Sequence, residues 1–89
     1  MNTFRLIVSS PDGNVFDGDV VMLSVRGIAG ELAVMAGHVP FVTTVVPSEC
    51  KIELDDDSTR VGRTDGGLLT VTRDTVTLLS GSFRFVDNE

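Results

Sequence analysis

Apolar residues in this chain recur with a period of two, in runs too short for a helix and separated by clusters of Gly, Pro and Asp. Alternate side chains of an extended strand point to opposite faces, whereas a helix needs a period near 3.6. Phe4, Leu6 and Val8 thus make one face of a first strand, which ends at the turn Ser10-Pro11-Asp12-Gly13. Val21, Leu23 and Val25 share one face of a later segment while Val20 and Met22 take the other, and a strand apolar on both sides belongs in the centre of a fold. Cys50, Ile52 and Leu54 alternate with Lys51, Glu53 and Asp55, the pattern of a half-exposed strand. Leu69 and Val71, then Val76 and Leu78, flank Arg73-Asp74 and read as a β-hairpin, after which Phe83 and Phe85 continue the alternation. No window of about 12 residues carries a helical stripe, so the chain is expected to be all-β, a sandwich or a barrel.

A length of 89 residues accommodates one domain, residues 1–89, without repeat, linker or shift in composition. Cys50 is the only cysteine and cannot form an internal disulfide, and no apolar secretory segment follows Met1, which leaves a cytoplasmic setting as the expectation. Apolar runs such as Val20 to Leu23 fall far short of the roughly 20 residues that span a bilayer, so any membrane link is expected to run through a partner. Thirteen acidic against seven basic residues give a net charge of -6, which opposes phosphate backbones and anionic lipid; nucleic acid is not an expected ligand. Trp and Tyr are absent, which weighs against sugar stacking.

His38 is the sole histidine, and a general base needs a nucleophile and an orienting group that this sequence does not supply in any recognisable motif. No catalytic residue is therefore assigned. Asp55-Asp56-Asp57 has the composition of a cation cluster, but successive strand residues diverge and the Gly and distal Glu of a calcium loop are missing; a solvated hairpin tip is expected, and no metal or cofactor. Gly27-Ile28-Ala29-Gly30 and Asp65-Gly66-Gly67 lack the lysine and helix of a phosphate loop, and read as turns or points of close backbone approach. The segment Gly30 to Pro40 differs in kind. Its glutamate, Gly-His pair and proline, with Leu32, Val34 and Met35 between them, do not read as a plain amphipathic strand, and mark a loop that is either an interaction surface or a structural corner.

Gly30-Glu31-Leu32 followed by Gly37-His38 and Pro40 resembles the G-E-L/F-G-x-x-P-G-H-x-P signature of the epsilon subunit of F-type ATP synthases, called delta in mitochondria. Upstream, Ser10-Pro11-Asp12-Gly13 and Phe16-Asp17-Gly18 with Val20 resemble the family's opening strands, and downstream Gly66-Gly67-Leu68-Leu69-Thr70-Val71 and Val76-Thr77-Leu78-Leu79 resemble two later ones. Ala33 and Ala36 stand where the family usually has Gly and Pro. The resemblance covers residues 4 to 79 and implies a β-sandwich of about ten strands that binds the γ subunit along one side and rests on the membrane c-ring. It implies a non-catalytic rotor subunit, peripheral on the cytoplasmic face of a bacterial-type inner membrane, serving proton-driven ATP synthesis. Glu31, Leu32, Met35, Gly37, His38 and Pro40 become the expected c-ring or γ contacts. Longer family members continue into a C-terminal helical hairpin; the sequence from Ser80 to Glu89 departs from the start of that hairpin, so none is expected here. The rival reading is a stand-alone β-sandwich that binds ligands or mediates adhesion, for which five Phe offer little to line a pocket.

Overall fold

The computed structural model describes residues 2–86 and contains ten strands and no helix. These are β1 (Phe4–Ser10), β2 (Gly13–Val20), β3 (Met22–Gly27), β4 (Gly30–Met35), β5 (Phe41–Val45), β6 (Ser48–Glu53), β7 (Thr59–Thr64), β8 (Gly67–Val71), β9 (Thr75–Ser80) and β10 (Phe83–Phe85). Hydrogen bonding links them in the order β10-β7-β6-β3-β5-β8-β9-β1-β2, with β4 paired to β3 alone. The path folds over where β3 meets β5 through the single pair Gly27↔Val45. One layer is thus β4-β3-β6-β7-β10 and the other β5-β8-β9-β1-β2, as in the expected ten-stranded sandwich. All ladders are antiparallel except β1–β9, which is parallel.

The period-two reading holds in β1, β6, β8 and β9. Phe4, Leu6 and Val8 of β1, Cys50 and Ile52 of β6, Leu69 and Val71 of β8, and Val76 and Leu78 of β9 all point inward and form one core with Leu23, Val25, Val34 and Val45. The expected hairpin at Arg73-Asp74 joins β8 to β9, and Asp55-Asp56-Asp57 lies in the exposed β6–β7 turn, where the Asp56 carboxylate accepts from the Ser58 amide at 2.9 Å.

Two expectations need correcting. Val20 and Met22 do not share a face of one strand, because the chain turns a corner at Val21: Val20 closes β2 opposite Phe4 and is fully buried, and Met22 opens β3 half-exposed. The inferred centrality holds for β3, which pairs with β4, β5 and β6. Residues 30–35 are also not a loop. Leu32 and Val34 turn toward the core while Glu31, Ala33 and Met35 face out, so β4 is an amphipathic strand, and Ala33 sits in extended backbone where glycine is not required.

Close packing within and between the layers depends on small residues. A Cβ at Gly67 would run into the Leu79 carbonyl, so only glycine lets β8 and β9 meet there. Thr64 of β7 and Ser80 of β9 share a buried hydrogen bond of 2.6 Å that ties one layer to the other. On the opposite side Phe16 of β2 meets Phe85 of β10 edge to face at 6.2 Å, and Arg60 lies over the Phe85 ring at 3.7 Å. Of the stretch from Ser80 to Glu89, Ser80 closes β9 and Phe83, Arg84 and Phe85 form β10; residues 87–89 lie outside the described residues.

Candidate functional site

The six expected contact residues do not form one loop. Glu31, Leu32 and Met35 belong to β4, and Gly37, His38 and Pro40 lie in the connection to β5. Glu31 stands beside the Ile28-Ala29 turn, and β4 then runs roughly 13 Å to Met35 at its other end, at about 3.3 Å per residue. Glu31 and His38 therefore lie toward opposite ends of β4. Glu31 is exposed and paired across the ladder with Arg26 at 3.1 Å, Met35 is 56% exposed, and Pro40 is exposed. Gly37 holds a φ of 88°, a left-handed value that favours glycine and starts the turn out of β4.

His38 is placed inward. Its ring meets Phe4 edge to face at 5.6 Å, and both ring nitrogens are buried with no hydrogen-bond partner among the described residues. Of the two sites weighed for it, contact and scaffold, the free chain shows the packing of a scaffold residue but without the hydrogen bonds to loop backbone that such a role implies.

A surface that the sequence reading passed over lies on the outer face of β5-β8-β9-β1. Register places Thr44, Leu68, Leu79 and Ser9 in one row and Val42, Thr70, Thr77 and Ile7 in the next. None of the eight is charged, and Val42, Leu68 and Leu79 are 61%, 41% and 50% exposed. The signal was present in the doubled leucines Leu68-Leu69 and Leu78-Leu79, which make both faces of β8 and β9 apolar.

The opposite outer face, on β4-β3-β6-β7-β10, is charged. Glu31 pairs with Arg26 at 3.1 Å and Glu49 with Arg63 at 3.2 Å, and Arg26, Glu31, Glu49 and Lys51 line a hollow of about 620 Å³ together with Ser24 and Ala33. No aromatic side chain lines it. Cys50 lies beneath this layer, and burial pushes its thiol up to about 11, which makes it a poor nucleophile at neutral pH. Among the described residues no group of three or more His, Cys, Asp or Glu side chains is placed to hold a metal ion.

A family model described as the β-sandwich domain of the ATP synthase delta/epsilon chain matches residues 3–85. The ATP synthase epsilon chain of an Exiguobacterium strain is 34% identical over 87 residues, which cover 98% of this chain and 64% of that one. The epsilon chain of Bacillus licheniformis is 35% identical over 80 residues, covering 90% and 60%. The present chain spans about three fifths of the length of these relatives. In fold it is similar to a chain in the structure of Euglena gracilis mitochondrial ATP synthase containing OSCP, F1 and c-ring, with a TM-score of 0.90 and 19% identity over 98% of this chain and 56% of that one. A chain of the Tetrahymena thermophila mitochondrial ATP synthase central stalk and c-ring gives a TM-score of 0.78 at 11% identity, covering 93% and 66%.

Proposed function

Since the chain belongs to the ATP synthase delta/epsilon-chain β-sandwich family, we propose that it is a non-catalytic rotor subunit of a rotary F-type ATP synthase, linking the γ subunit to the membrane c-ring during proton-driven ATP synthesis. The observation that carries this reading is the uncharged stretch on the outer face of β5-β8-β9-β1, with Val42, Leu68 and Leu79 open to solvent in a chain of net charge -6 and Arg5, ion-paired with Asp17 at 2.8 Å, beside it on β1. Exposed apolar patches on soluble domains mark association surfaces. This face is the proposed γ-binding side. The edge strand β4 and the connection after it, with Glu31, Leu32, Met35, Gly37, His38 and Pro40, supply the proposed contacts to the c-ring or to the adjoining part of γ.

Such a subunit performs no bond chemistry; it transmits torque, which requires stiffness and two firm attachments. A close-packed interior with one continuous core resists deformation, and the interlayer bond between Thr64 and Ser80 adds a directional tie. The position that follows is peripheral, on the cytoplasmic face of a bacterial-type inner membrane, held there by partner subunits. Calorimetry with the γ subunit of the same organism tests the reading. Binding with burial of about 1,200–2,000 Å² is expected of a stable interface; no heat of binding at micromolar concentrations overturns it.

A further inference from the structure

On the charged layer, Arg63 of β7 and Arg84 of β10 are direct cross-strand partners. Like charges placed opposite one another repel, and strands ordinarily avoid the arrangement. Here it persists in an acidic protein that has only seven basic residues to distribute. Both arginines border a second hollow of about 320 Å³, which Ser48, Thr64, Asp65 and Ser82 complete.

The nearby carboxylates leave the pair incompletely neutralised. Glu49 reaches Arg63 through a single contact at 3.2 Å, and Arg84 makes no ion pair with a described residue. Asp65 is turned toward the β9–β10 turn, where its Oδ1 accepts from the Ser82 amide at 3.0 Å and the Ser80 hydroxyl at 3.3 Å. The Ser48 hydroxyl donates its one proton to the Val46 carbonyl at 2.8 Å and is therefore not a donor to the hollow.

We propose that the cleft between β6, β7 and β10 is an oxyanion-binding site, in which Arg63 and Arg84 clasp a phosphate or carboxylate group and the Ser82 hydroxyl donates to it. Arginines on directly paired positions that line one hollow offer two planar guanidinium forks, whose paired N–H donors such anions accept. The anion replaces the repulsion between the arginines with attraction to both. The site does not depend on the role assigned to the uncharged face, and either inference can fail while the other stands.

The test is thermal melting of the chain at fixed ionic strength, with chloride replaced in turn by inorganic phosphate and by hexaglutamate. Phosphate at about ten times its Kd is expected to raise the midpoint by roughly 5–10 °C. Arg84→Ala is expected to remove that shift, and Arg73→Ala, in the remote β8–β9 turn, to retain it. Protection by hexaglutamate but not by phosphate assigns the site to the carboxylates of an acidic polypeptide; protection by phosphate alone assigns it to a phosphate group. Absence of protection by either, or a shift that survives in both Arg84→Ala and Arg84→Gln, overturns the proposal.

Discussion

The two outer faces of the sandwich are built on the same core and the same ladder geometry, yet they differ in every property that decides what they can touch. On β4-β3-β6-β7 the outward positions hold Glu31, Arg26, Glu49, Lys51 and Arg63, with charges of alternating sign in register across the strands. On β5-β8-β9-β1 the corresponding positions hold Val, Leu, Thr, Ser and Ile in two adjoining rows, with one charge, Arg5, at the start of β1, paired to Asp17 of β2. The first face is stable in water by itself and discourages flat association through the desolvation cost of its charges. The second has no such cost to overcome, and its β-branched residues make a flat, stiff surface. The location of interaction is thus decided at the parity that the core does not use.

Both faces depend on one interior, so the largest effect expected is not on a face at all. Leu23→Ala, in fully buried β3 packing, is expected to cost about 2–5 kcal/mol in denaturant unfolding and to weaken every partner contact through loss of the fold. The comparison itself is tested by Leu68→Asp combined with Leu79→Asp. Two charges on the uncharged face are expected to weaken γ binding by about 100-fold, or 2.7 kcal/mol, in calorimetry. Lys51→Glu on the charged face is expected to change it by less than about twofold. Equal losses from both faces would contradict the distinction drawn here.

His38 sharpens the comparison at the end of the sandwich. Replacing its ring by Phe removes two buried nitrogens that lack partners and keeps the edge-to-face packing on Phe4. Thermal unfolding of His38→Phe is expected to show a gain of about 1–3 kcal/mol, and a loss would show that the nitrogens are satisfied in the free chain. Beneath the charged layer, the Cys50 thiol is held near 11 by burial, above its ordinary value of 9.0. Between those values the unfolded chain releases a proton that the folded chain retains, so stability is expected to fall as pH rises from about 9 to about 11. Cys50→Ala, followed over the same pH range, should lack that decline. The smallest change belongs to Glu31→Ala. It removes an exposed ion pair and should alter stability by less than about 0.5 kcal/mol, while proton pumping by the reconstituted complex declines if β4 is a coupling contact.

Strand identity was legible because each strand is half-buried, and a half-buried strand writes its period into the sequence. Cys50-Lys51-Ile52-Glu53 and the β8–β9 hairpin are cases where inward and outward residues differ in kind. The β2–β3 corner was not legible, since Val20 to Leu23 are uniformly apolar and the turn at Val21 needs neither Gly nor Pro. β4 was misread for another reason. Its outward residues Ala33 and Met35 are apolar, so the alternation with Leu32 and Val34 vanishes from the sequence although it is present in space. The candidate site suffered most, because two residues seven positions apart look adjacent on paper, whereas a strand between them carries Glu31 and His38 toward opposite ends. Pairing partners such as β1 with β9 join residues about 70 positions apart and leave no local trace.

That parallel pairing governs how the molecule comes into being. β1 leaves the ribosome first, yet its partner on one side, residues 75–79 of β9, is nearly the last strand made. Hairpins such as β1–β2 and β3–β4 can zip within microseconds, but the layer that contains β1 cannot close until the chain has been synthesised past residue 79. Until then the nascent chain presents Phe4, Leu6 and Val8 without cover. Synthesis at roughly 5–20 residues per second makes that window several seconds long. The outer surface of β5-β8-β9-β1 is therefore assembled in a single late step, and the proposed γ partner would meet either the whole of it or none.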